Sequence, residues 1–170
     1  MSGKEVMSVS TKGINFLKQV EALRTEPYDD ATGEEINNWT RGATIGYGHL
    51  IPNNEWEKYK DGIDEDKAEK LLKTDLKPFE RVVRRNVTKE LDQSQFDALV
   101  ILAFNIGKSG LRTSSVLKIL NGNPGQANYN SLEAAWKAYN RNHTGKVNEG
   151  LKNRRRAELK IYNRGNYKVW

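Results

Sequence analysis

Cysteine is absent from this chain of 170 residues, and its apolar runs are short. The longest run, Ala98–Phe104, has seven residues, whereas a membrane-spanning helix needs about 20. The first residues, Met1–Glu5, carry no apolar region of the kind that directs secretion. Without disulfides the fold does not depend on an oxidising compartment. We therefore expect synthesis in the cytoplasm, without a signal peptide, and no insertion into a membrane.

Histidine is also scarce, which argues against a metal site. His49 and His143 are the only two, and a metal site usually needs three or four His, Cys or carboxylate ligands at recognisable spacing. The pair Gly46-x-Gly48 lacks the third glycine of a dinucleotide-binding loop and more simply permits a tight hairpin. We expect His49 to be structural and hydrogen-bonded to backbone near Gly48, and we expect no metal and no cofactor.

Positive charge is in excess, since 28 Lys and Arg oppose 22 Asp and Glu and give a net charge of +6. Basic residues cluster at Arg81, Arg84, Arg85 and Arg154–Arg156. They form either solvated helix faces or a surface that attracts an anionic polymer. Nucleic acid is disfavoured, because no zinc finger, ribonucleoprotein motif or basic zipper accompanies the charge. The composition, 36% hydrophobic and 29% charged, is that of a globular chain with one core.

Two acids near the N-terminus, Glu21 and Asp30, are the leading candidates for chemistry. The first predicted helix begins behind a cap at Ser10 or Thr11, and Glu21 lies within its apolar arc. A carboxylate on such a face is usually paired or functional, and burial would raise its pKa toward the range that a general acid needs. The structural alternative is an ion pair with Arg24 at i,i+3. The arc consists of Ile14, Phe16, Leu17, Val20 and Leu23.

The segments around these acids resemble the phage-type lysozymes of glycoside hydrolase family 24. Glu21-Ala22-Leu23-Arg24 is similar to the family's Glu-Gly-Leu-Arg, Tyr28-Asp29-Asp30 to Tyr-x-Asp, and Thr44–His49 to Thr-Ile-Gly-x-Gly-His. Later runs match in the same order, so the likeness extends over residues 14–163. These runs are Phe104-Asn105-Ile106-Gly107, Ser114–Leu117 and Gly150–Glu158.

The resemblance implies a muramidase that hydrolyses the β-1,4 bond between N-acetylmuramic acid and N-acetylglucosamine in peptidoglycan, with inversion at the anomeric carbon. Glu21 would be the proton donor, Asp30 the second carboxylate, and Thr44 would position the water. Two carboxyl groups flanking the scissile bond are what glycoside hydrolysis usually needs. The residues expected to line the substrate cleft are Leu50, Phe104 and Asn105.

Two departures from the family pattern bear on the site. Ala22 replaces the usual glycine, which we expect a helix to tolerate. The stretch Ala31–Ala43 is longer than in the shortest members, and we predict that it forms a turn and a strand-like piece at the rim of the cleft. It introduces the rival carboxylates Glu34-Glu35, while Asp29 is a closer rival to Asp30.

The pattern of elements predicts an α+β, mostly helical, lysozyme-like fold in a single domain of residues 1–170. A small β-containing N-terminal lobe over residues 11–60 would precede a larger helical lobe over residues 61–163, with the cleft between them. Helices are predicted over 11–24, Ser115–Leu120 and Leu151–Asn163. Another helix is predicted to begin at Asp64, with a break or kink at Pro78. A helix over Gln93–Ile106 has an Asp92–Gln95 capping box and Gly107 and Gly110 at its end, and Asn130 caps a helix over Ser131–Asn140.

Other functions stay open on the sequence alone. A lytic transglycosylase would use the substrate's own hydroxyl in place of water, and a wall-binding module would need no catalysis. A cationic protein could disrupt membranes by charge, an effect that salt would screen. We expect a monomer that acts on peptidoglycan in the periplasm as a phage endolysin. A tail lysozyme or an antibacterial secretion-system effector would carry the same residues.

Overall fold

The computed structural model describes residues 6–170. In this part of the chain there are eight α-helices, a three-stranded sheet, and two short 3-10 helices at Asn53–Glu55 and Pro124–Gln126. The fold is α+β and mostly helical, as predicted. In chain order the elements are α1 Thr11–Val20, β1 Arg24–Asp29, β2 Ala43–Gly46, β3 His49–Leu50, α2 Trp56–Tyr59, α3 Glu65–Asn86, α4 Gln93–Ile106, α5 Lys108–Arg112, α6 Ser115–Leu120, α7 Leu132–Lys137 and α8 Glu149–Arg164.

The chain divides into two compact units. The sheet unit is Leu17–Leu76, and the helical unit consists of the chain up to Phe16 together with Lys77–Trp170. These limits fall inside α1 and α3, so they differ from the predicted lobes at residues 11–60 and 61–163. That residues 1–170 form a single domain stays a prediction. Over residues 6–170, no helix combines the length and the apolar character needed to cross a membrane.

In the sheet unit, the three strands form an antiparallel sheet in the order β1-β2-β3. Tyr28 pairs with Thr44, and Thr44 pairs on its other side with Leu50. Gly46 ends β2, and Gly48 lies in the turn before β3. Their φ angles of 68° and 85° lie in the left-handed region that favours glycine. The predicted hairpin is therefore confirmed. The core of the sheet unit consists of Ala43, Ile45, Ile51 and Tyr59, with Ile36, Trp39, Trp56, Ile63 and Leu71 packed against it.

In the helical unit, α4 packs against α8 and is buried along most of its length. Its predicted bounds and its capping box are confirmed. The Asp92 carboxylate accepts a hydrogen bond from the backbone N–H of Gln95, and the Gln95 side chain accepts one from the backbone N–H of Asp92. Residues Phe96–Ala103 are all buried, as expected for a helix that is apolar on every side.

The predicted break at Pro78 is wrong, because helix α3 is continuous through this residue, while a kink there stays a prediction. The Asp64 carboxylate accepts a hydrogen bond from the N–H of Lys67 at 2.8 Å and so caps the helix, as predicted. The helix then continues through Pro78 to Asn86. Proline removes one backbone hydrogen bond and crowds the preceding turn, but buried residues on both sides of it anchor the helix. These residues are Ala68, Leu72, Leu76, Val82 and Val83.

Other predicted helix limits are also wrong, and α7 ends at Lys137, three residues before the predicted Asn140. Gly110 lies inside α5 and does not end α4; only Gly107 does so. Helix α7 is capped by Ser131, whose hydroxyl accepts a hydrogen bond from the N–H of Ala134, and not by Asn130. The bounds of α6 are as predicted, and α8 begins two residues earlier than expected because Asn148 caps it.

Candidate active site

Glu21 lies directly after α1 and not within it. The helix ends at Val20, although the backbone N–H of Glu21 still donates to the carbonyl of Leu17 at 2.9 Å. The predicted helix over 11–24 is therefore too long at its C-terminal end. Its predicted cap is confirmed at Ser10, whose hydroxyl accepts from the N–H of Gly13 at 3.2 Å. Glu21 is half-buried.

Ala22 explains why the helix stops at this point. Its φ angle is +50°, and among residues 6–170 it is the one non-glycine residue with a positive φ. An L-residue in the left-handed region costs about 1–2 kcal/mol, whereas glycine adopts it freely. The expectation that a helix would tolerate Ala22 is wrong, because Ala22 lies outside the helix in the conformation that turns the chain toward β1.

Arg24 opens β1 and lies over an aromatic ring. Its guanidinium carbon is 4.3 Å from the centroid of the Tyr28 ring, a cation–π geometry. One of its terminal nitrogens also donates to the carbonyl of Gly33 at 3.1 Å. Arg24 thus links β1 to the loop that follows it and fixes the position of Tyr28.

The pKa of Tyr28 is affected by both candidate acids. Burial raises the pKa of its phenol, and so do the negative charges of Asp30 and Glu21, while the positive charge of Arg24 opposes them. Electrostatic effects of this kind require short distances in a solvated protein. Both carboxylates therefore lie within electrostatic reach of one phenol in the sheet unit.

The structure separates Asp30 from its neighbour Asp29. Asp29 is engaged in the turn: its Oδ1 accepts from the N–H of Ala31 at 2.9 Å. A side-chain carbon added to Gly42 would come within 2.5 Å of the same oxygen, so the Asp29 carboxylate lies against Gly42. Asp30 is exposed, and its backbone N–H donates to the carbonyl of Gly42 at 3.0 Å. Of the two acids, Asp30 has the side chain available for chemistry.

Thr44 lies on β2 opposite Tyr28 and is only 4% exposed. Its hydroxyl donates its proton to the carbonyl of Gly42 at 2.9 Å. A hydroxyl oxygen has one donor and two acceptor positions. With the proton used by Gly42, the Thr44 oxygen can offer a lone pair to a water molecule.

The loop between β1 and β2 contains one bridge and no regular strand. Tyr28 forms an isolated bridge with Glu35, and the indole N–H of Trp39 donates to the carbonyl of Ile51 at 2.9 Å. The predicted strand-like piece is thus reduced to one pair. Glu34 and Glu35 are both exposed, as expected of turn residues. The role of the loop at the rim of a cleft stays a prediction.

His49 is structural, but its partner is not the predicted one. Its Nδ1 lies 2.9 Å from a carboxylate oxygen of Asp75 on α3, so a side chain and not nearby backbone holds the ring. The ring also packs near Tyr59, with 5.5 Å between centroids. In the described part of the chain, no group of three His, Cys, Asp or Glu residues could hold a metal ion.

The three residues predicted to line a cleft belong to different units. Leu50, in the sheet unit, is 60% exposed. Phe104, in the helical unit, is half-buried and packs edge-to-face on Phe79 at 5.3 Å. Asn105 is exposed, and its Oδ1 accepts from a terminal nitrogen of Arg155 at 2.7 Å. Their contact with a substrate stays a prediction.

A buried charge network in the helical unit holds Asn105, and sequence reasoning missed it. Arg155 and Glu158 are both fully buried, and Arg155 Nε lies 2.9 Å from Glu158 Oε1. Glu158 also accepts from the indole N–H of Trp136 at 3.0 Å and from Arg154 Nε at 3.2 Å. Arg154 and Arg155 are therefore not the surface cations that the sequence suggested. The Arg-Arg…Glu spacing of i,i+3 and i,i+4 was the available signal.

The model of the family described as "Phage lysozyme" matches residues 18–158, a stretch that contains every candidate residue. This chain belongs to the phage lysozyme family. An endolysin of Salmonella phage P22 is 34% identical over 159 residues, which cover 92% of this chain and 99% of that protein. The solved structure of an endolysin from Escherichia coli O157:H7 phage FAHEc1 matches with a TM-score of 0.74 at 29% identity. The match covers 98% of this chain and 99% of that chain. The lysozyme-like fold is thus confirmed.

Some members of the family are longer than this chain. An endolysin of Bacillus phage B103 is 35% identical over 162 residues, 95% of this chain but 56% of that protein. The chain thus spans about half the length of the first curated relatives that it matches. The family likeness itself runs through both compact units, because the matched residues 18–158 include most of each.

Proposed function

We propose that this protein is a muramidase that hydrolyses the β-1,4 bond between N-acetylmuramic acid and N-acetylglucosamine in peptidoglycan. The observation that carries the proposal is that two acids, the half-buried Glu21 and the exposed Asp30, both lie within electrostatic reach of Tyr28, which pairs with Thr44 across the sheet. Two carboxyl groups flanking the scissile bond are what glycoside hydrolysis usually needs, and the Thr44 hydroxyl could position the water. Membership of the phage lysozyme family supports the same reaction.

In the proposed mechanism Glu21 is the general acid. It donates its proton to the glycosidic oxygen as the bond from that oxygen to the anomeric carbon breaks. A water oxygen then forms the new bond to the anomeric carbon from the opposite face of the ring. Asp30 takes the proton that this water loses, and Thr44 holds the water through its free lone pair. The products are two sugar chains, one with a new reducing end. Asp30 then releases its proton to solvent and Glu21 regains one, which restores both acids.

The configuration of the product depends on whether a water molecule or a carboxylate attacks the anomeric carbon. An inverting enzyme needs about 6.5–9.5 Å between its carboxyl groups to admit the water, against about 5–5.5 Å for a retaining enzyme. Asp30 is exposed and directly follows β1. The family resemblance favours inversion, which NMR of the first-formed anomer would test.

The test is mass spectrometry of purified murein digested by the wild type and three variants. Glu21→Gln and Asp30→Asn should each lower the rate by about 10²–10⁴-fold, with products that end in a reducing sugar. Asp29→Asn is the matched control, since it makes the same chemical change one residue away and should retain most activity. Full activity of Glu21→Gln would contradict the proposal, as would anhydro-sugar ends, which mark a transglycosylase.

The biological setting is proposed from the same comparisons. Endolysin is the name of the relatives from phages B103 and P22, and an endolysin is the role that we propose for this chain. Killing of intact cells that survives Glu21→Gln but collapses in high salt would instead indicate a cationic membrane-active protein. Action as a monomer, and the absence of nucleic-acid binding, stay predictions.

A further inference from the structure

A concave surface in the helical unit is lined by four cations and no acid. Two of them, Arg81 and Arg85, lie on α3, and the other two, Lys108 and Arg112, lie on α5. The cavity has a volume of about 210 Å³. We call this surface the basic groove. Its remaining lining residues are Pro78, Val82 and Asn86.

The spacing of the four cations explains why they converge. Each pair is separated by four residues on a helix, and residues at i and i+4 share one face. Each helix therefore presents two cations to the groove, one turn apart. Arg84, between Arg81 and Arg85 in sequence, has a different environment: it donates to the carbonyl of Met7 at 2.6 Å and pairs with Glu80.

No acid within residues 6–170 forms an ion pair with the four groove cations. All four are exposed, and by contrast Lys18, Lys73 and Lys152 each take part in an ion pair. Four like charges that face one concavity repel one another unless an anion lies between them. The groove therefore has the electrostatic character of an anion site large enough for part of a polymer.

The side chains in the groove narrow the class of anion. Three of the four cations are arginines, whose planar guanidinium groups bind phosphate through two parallel hydrogen bonds. No aromatic residue lines the groove, so nucleic-acid bases would find no stacking surface. The exposed large apolar residues lie elsewhere, so the groove has no anchor for a lipid surface.

We propose that the basic groove binds a flexible phosphodiester polymer of the bacterial wall, of the glycerol-phosphate type. The choice of a wall polymer among phosphate polymers rests on the proposed function, because a muramidase meets such polymers beside its substrate. Binding in the groove would keep the enzyme at the wall between cleavage events. It would not take part in the cleavage itself.

The test measures binding of a synthetic glycerol-phosphate oligomer by calorimetry at 150 mM salt. One variant combines Arg81→Gln, Arg85→Gln, Lys108→Gln and Arg112→Gln. A matched control combines Lys12→Gln, Lys70→Gln, Lys146→Gln and Lys168→Gln, four exposed cations outside the groove. Both variants have the same loss of four charges. We expect about a tenfold or greater loss of affinity in the groove variant, since several charge-assisted hydrogen bonds disappear, and a much smaller loss in the control.

Equal losses in the two variants would overturn the proposal, since net charge alone would then explain binding. A second variant, with the three groove arginines replaced by lysine, keeps the charge and should still lose affinity; unchanged affinity would refute recognition of phosphate by guanidinium. Single-stranded DNA and vesicles of phosphatidylglycerol are run at the same charge concentration. Tighter groove-dependent binding of either one would overturn the assignment to a wall polymer.

Two further measurements separate this proposal from the proposed function. Binding of the oligomer should be unchanged in Glu21→Gln, which tests the groove even if the muramidase assignment fails. The groove variant should cleave soluble peptidoglycan fragments at the wild-type rate. It should lyse walls that retain glycerol-phosphate polymer more slowly than the control variant, and walls stripped of that polymer equally fast. The proposal would be contradicted if the lysis rate of the groove variant, divided by that of the control variant, were the same for both wall types.

Discussion

The candidate acids of the sheet unit and the buried acids of the helical unit have opposite environments. In the sheet unit, Glu21 is half-buried and Asp30 is exposed, and both lie within electrostatic reach of Tyr28. In the helical unit, Asp97 and Glu158 are completely buried, and each is surrounded by hydrogen-bond donors. Burial by itself therefore does not identify a catalytic acid in this protein.

The donors around the buried acids explain the difference. Asp97 accepts from the backbone N–H and the hydroxyl of Ser10, from the amide of Gln93 at 2.8 Å and from the phenol of Tyr167 at 2.6 Å. A buried carboxylate is stable only when such partners replace water. An acid with all its lone pairs occupied cannot exchange a proton with a substrate, so these acids stabilise the fold.

Glu158→Gln should produce the largest loss of stability. It would leave the buried charges of Arg154 and Arg155 without their carboxylate, and removal of one partner from a buried pair costs about 3–5 kcal/mol. The measurement is urea unfolding followed by circular dichroism. The control is Glu149→Gln on the same helix, an exposed acid paired with Lys152, which should cause no measurable change. Equal stability of the two variants would show that the network is not structural.

Asp97→Asn should have the next largest effect. The amide keeps the size of the side chain but weakens hydrogen bonds that depend on the negative charge, for a loss of about 2–3 kcal/mol in the free energy of unfolding. Asp61→Asn, at an exposed position, is the control for the chemical change. Murein cleavage by Asp97→Asn at a temperature where it stays folded should match the wild type. A specific loss of cleavage would assign Asp97 to the chemistry instead.

Alkaline pH should weaken the same cluster through Tyr167. Burial raises the pKa of Tyr167, and so do its hydrogen bond to Asp97 and the charge of Asp97. The folded state thus holds the phenolic proton more tightly than the unfolded state, whose pKa is about 10. This contribution is complete below pH 10 and is lost as the pH rises from 10 toward the folded-state value. Tyr167→Phe should lose about 1–2 kcal/mol at pH 8.

The check is the free energy of unfolding from pH 8 to pH 11. The difference between the wild type and Tyr167→Phe should shrink as the pH rises. Tyr129→Phe is the control, because Tyr129 is 43% exposed and should leave the slope unchanged. A constant difference between wild type and Tyr167→Phe across this range would show that the two states bind the proton equally.

Ala22→Gly should have the smallest effect, and it should be a gain. Relief of the left-handed backbone contributes about 1–2 kcal/mol, from which about 0.4–1 kcal/mol is lost through the greater freedom of glycine in the unfolded chain. Urea unfolding should show a net increase of up to about 1.5 kcal/mol. Ala134→Gly, inside α7, is the control and should destabilise the protein by about 1 kcal/mol. A loss in both variants would contradict the strain at Ala22.

Sequence reasoning succeeded where the deciding contacts are local. The capping box at Asp92 and Gln95, the cap at Asp64 and the glycine turn before β3 each depend on residues within four positions of one another. It failed where distant residues decide the outcome. Ser10 and Tyr167 reach Asp97 from 87 and 70 residues away, and no periodicity in α4 indicates that they do so.

The candidate site was only partly predictable for the same reason. Glu21, Asp30 and Thr44 could be chosen from their motifs, but the choice between Asp29 and Asp30 rested on spacing alone. The hydrogen bond from Ala31 to Asp29 and the approach of Gly42 separate the two acids. The apolar arc that placed Glu21 in a helix was misleading. The left-handed conformation of Ala22 ends α1 at Val20, one residue before Glu21.

Membership of the phage lysozyme family, the caps of the main helices and a short set of candidate acids can be read from the order of residues, since short-range hydrogen bonding and side-chain spacing encode them. Which acids lose contact with water, which arginines are buried and which converge on one groove depends on what packs against each helix. The cost of removing a charge from water is set by all of its neighbours together, and most of those neighbours come from remote parts of the chain.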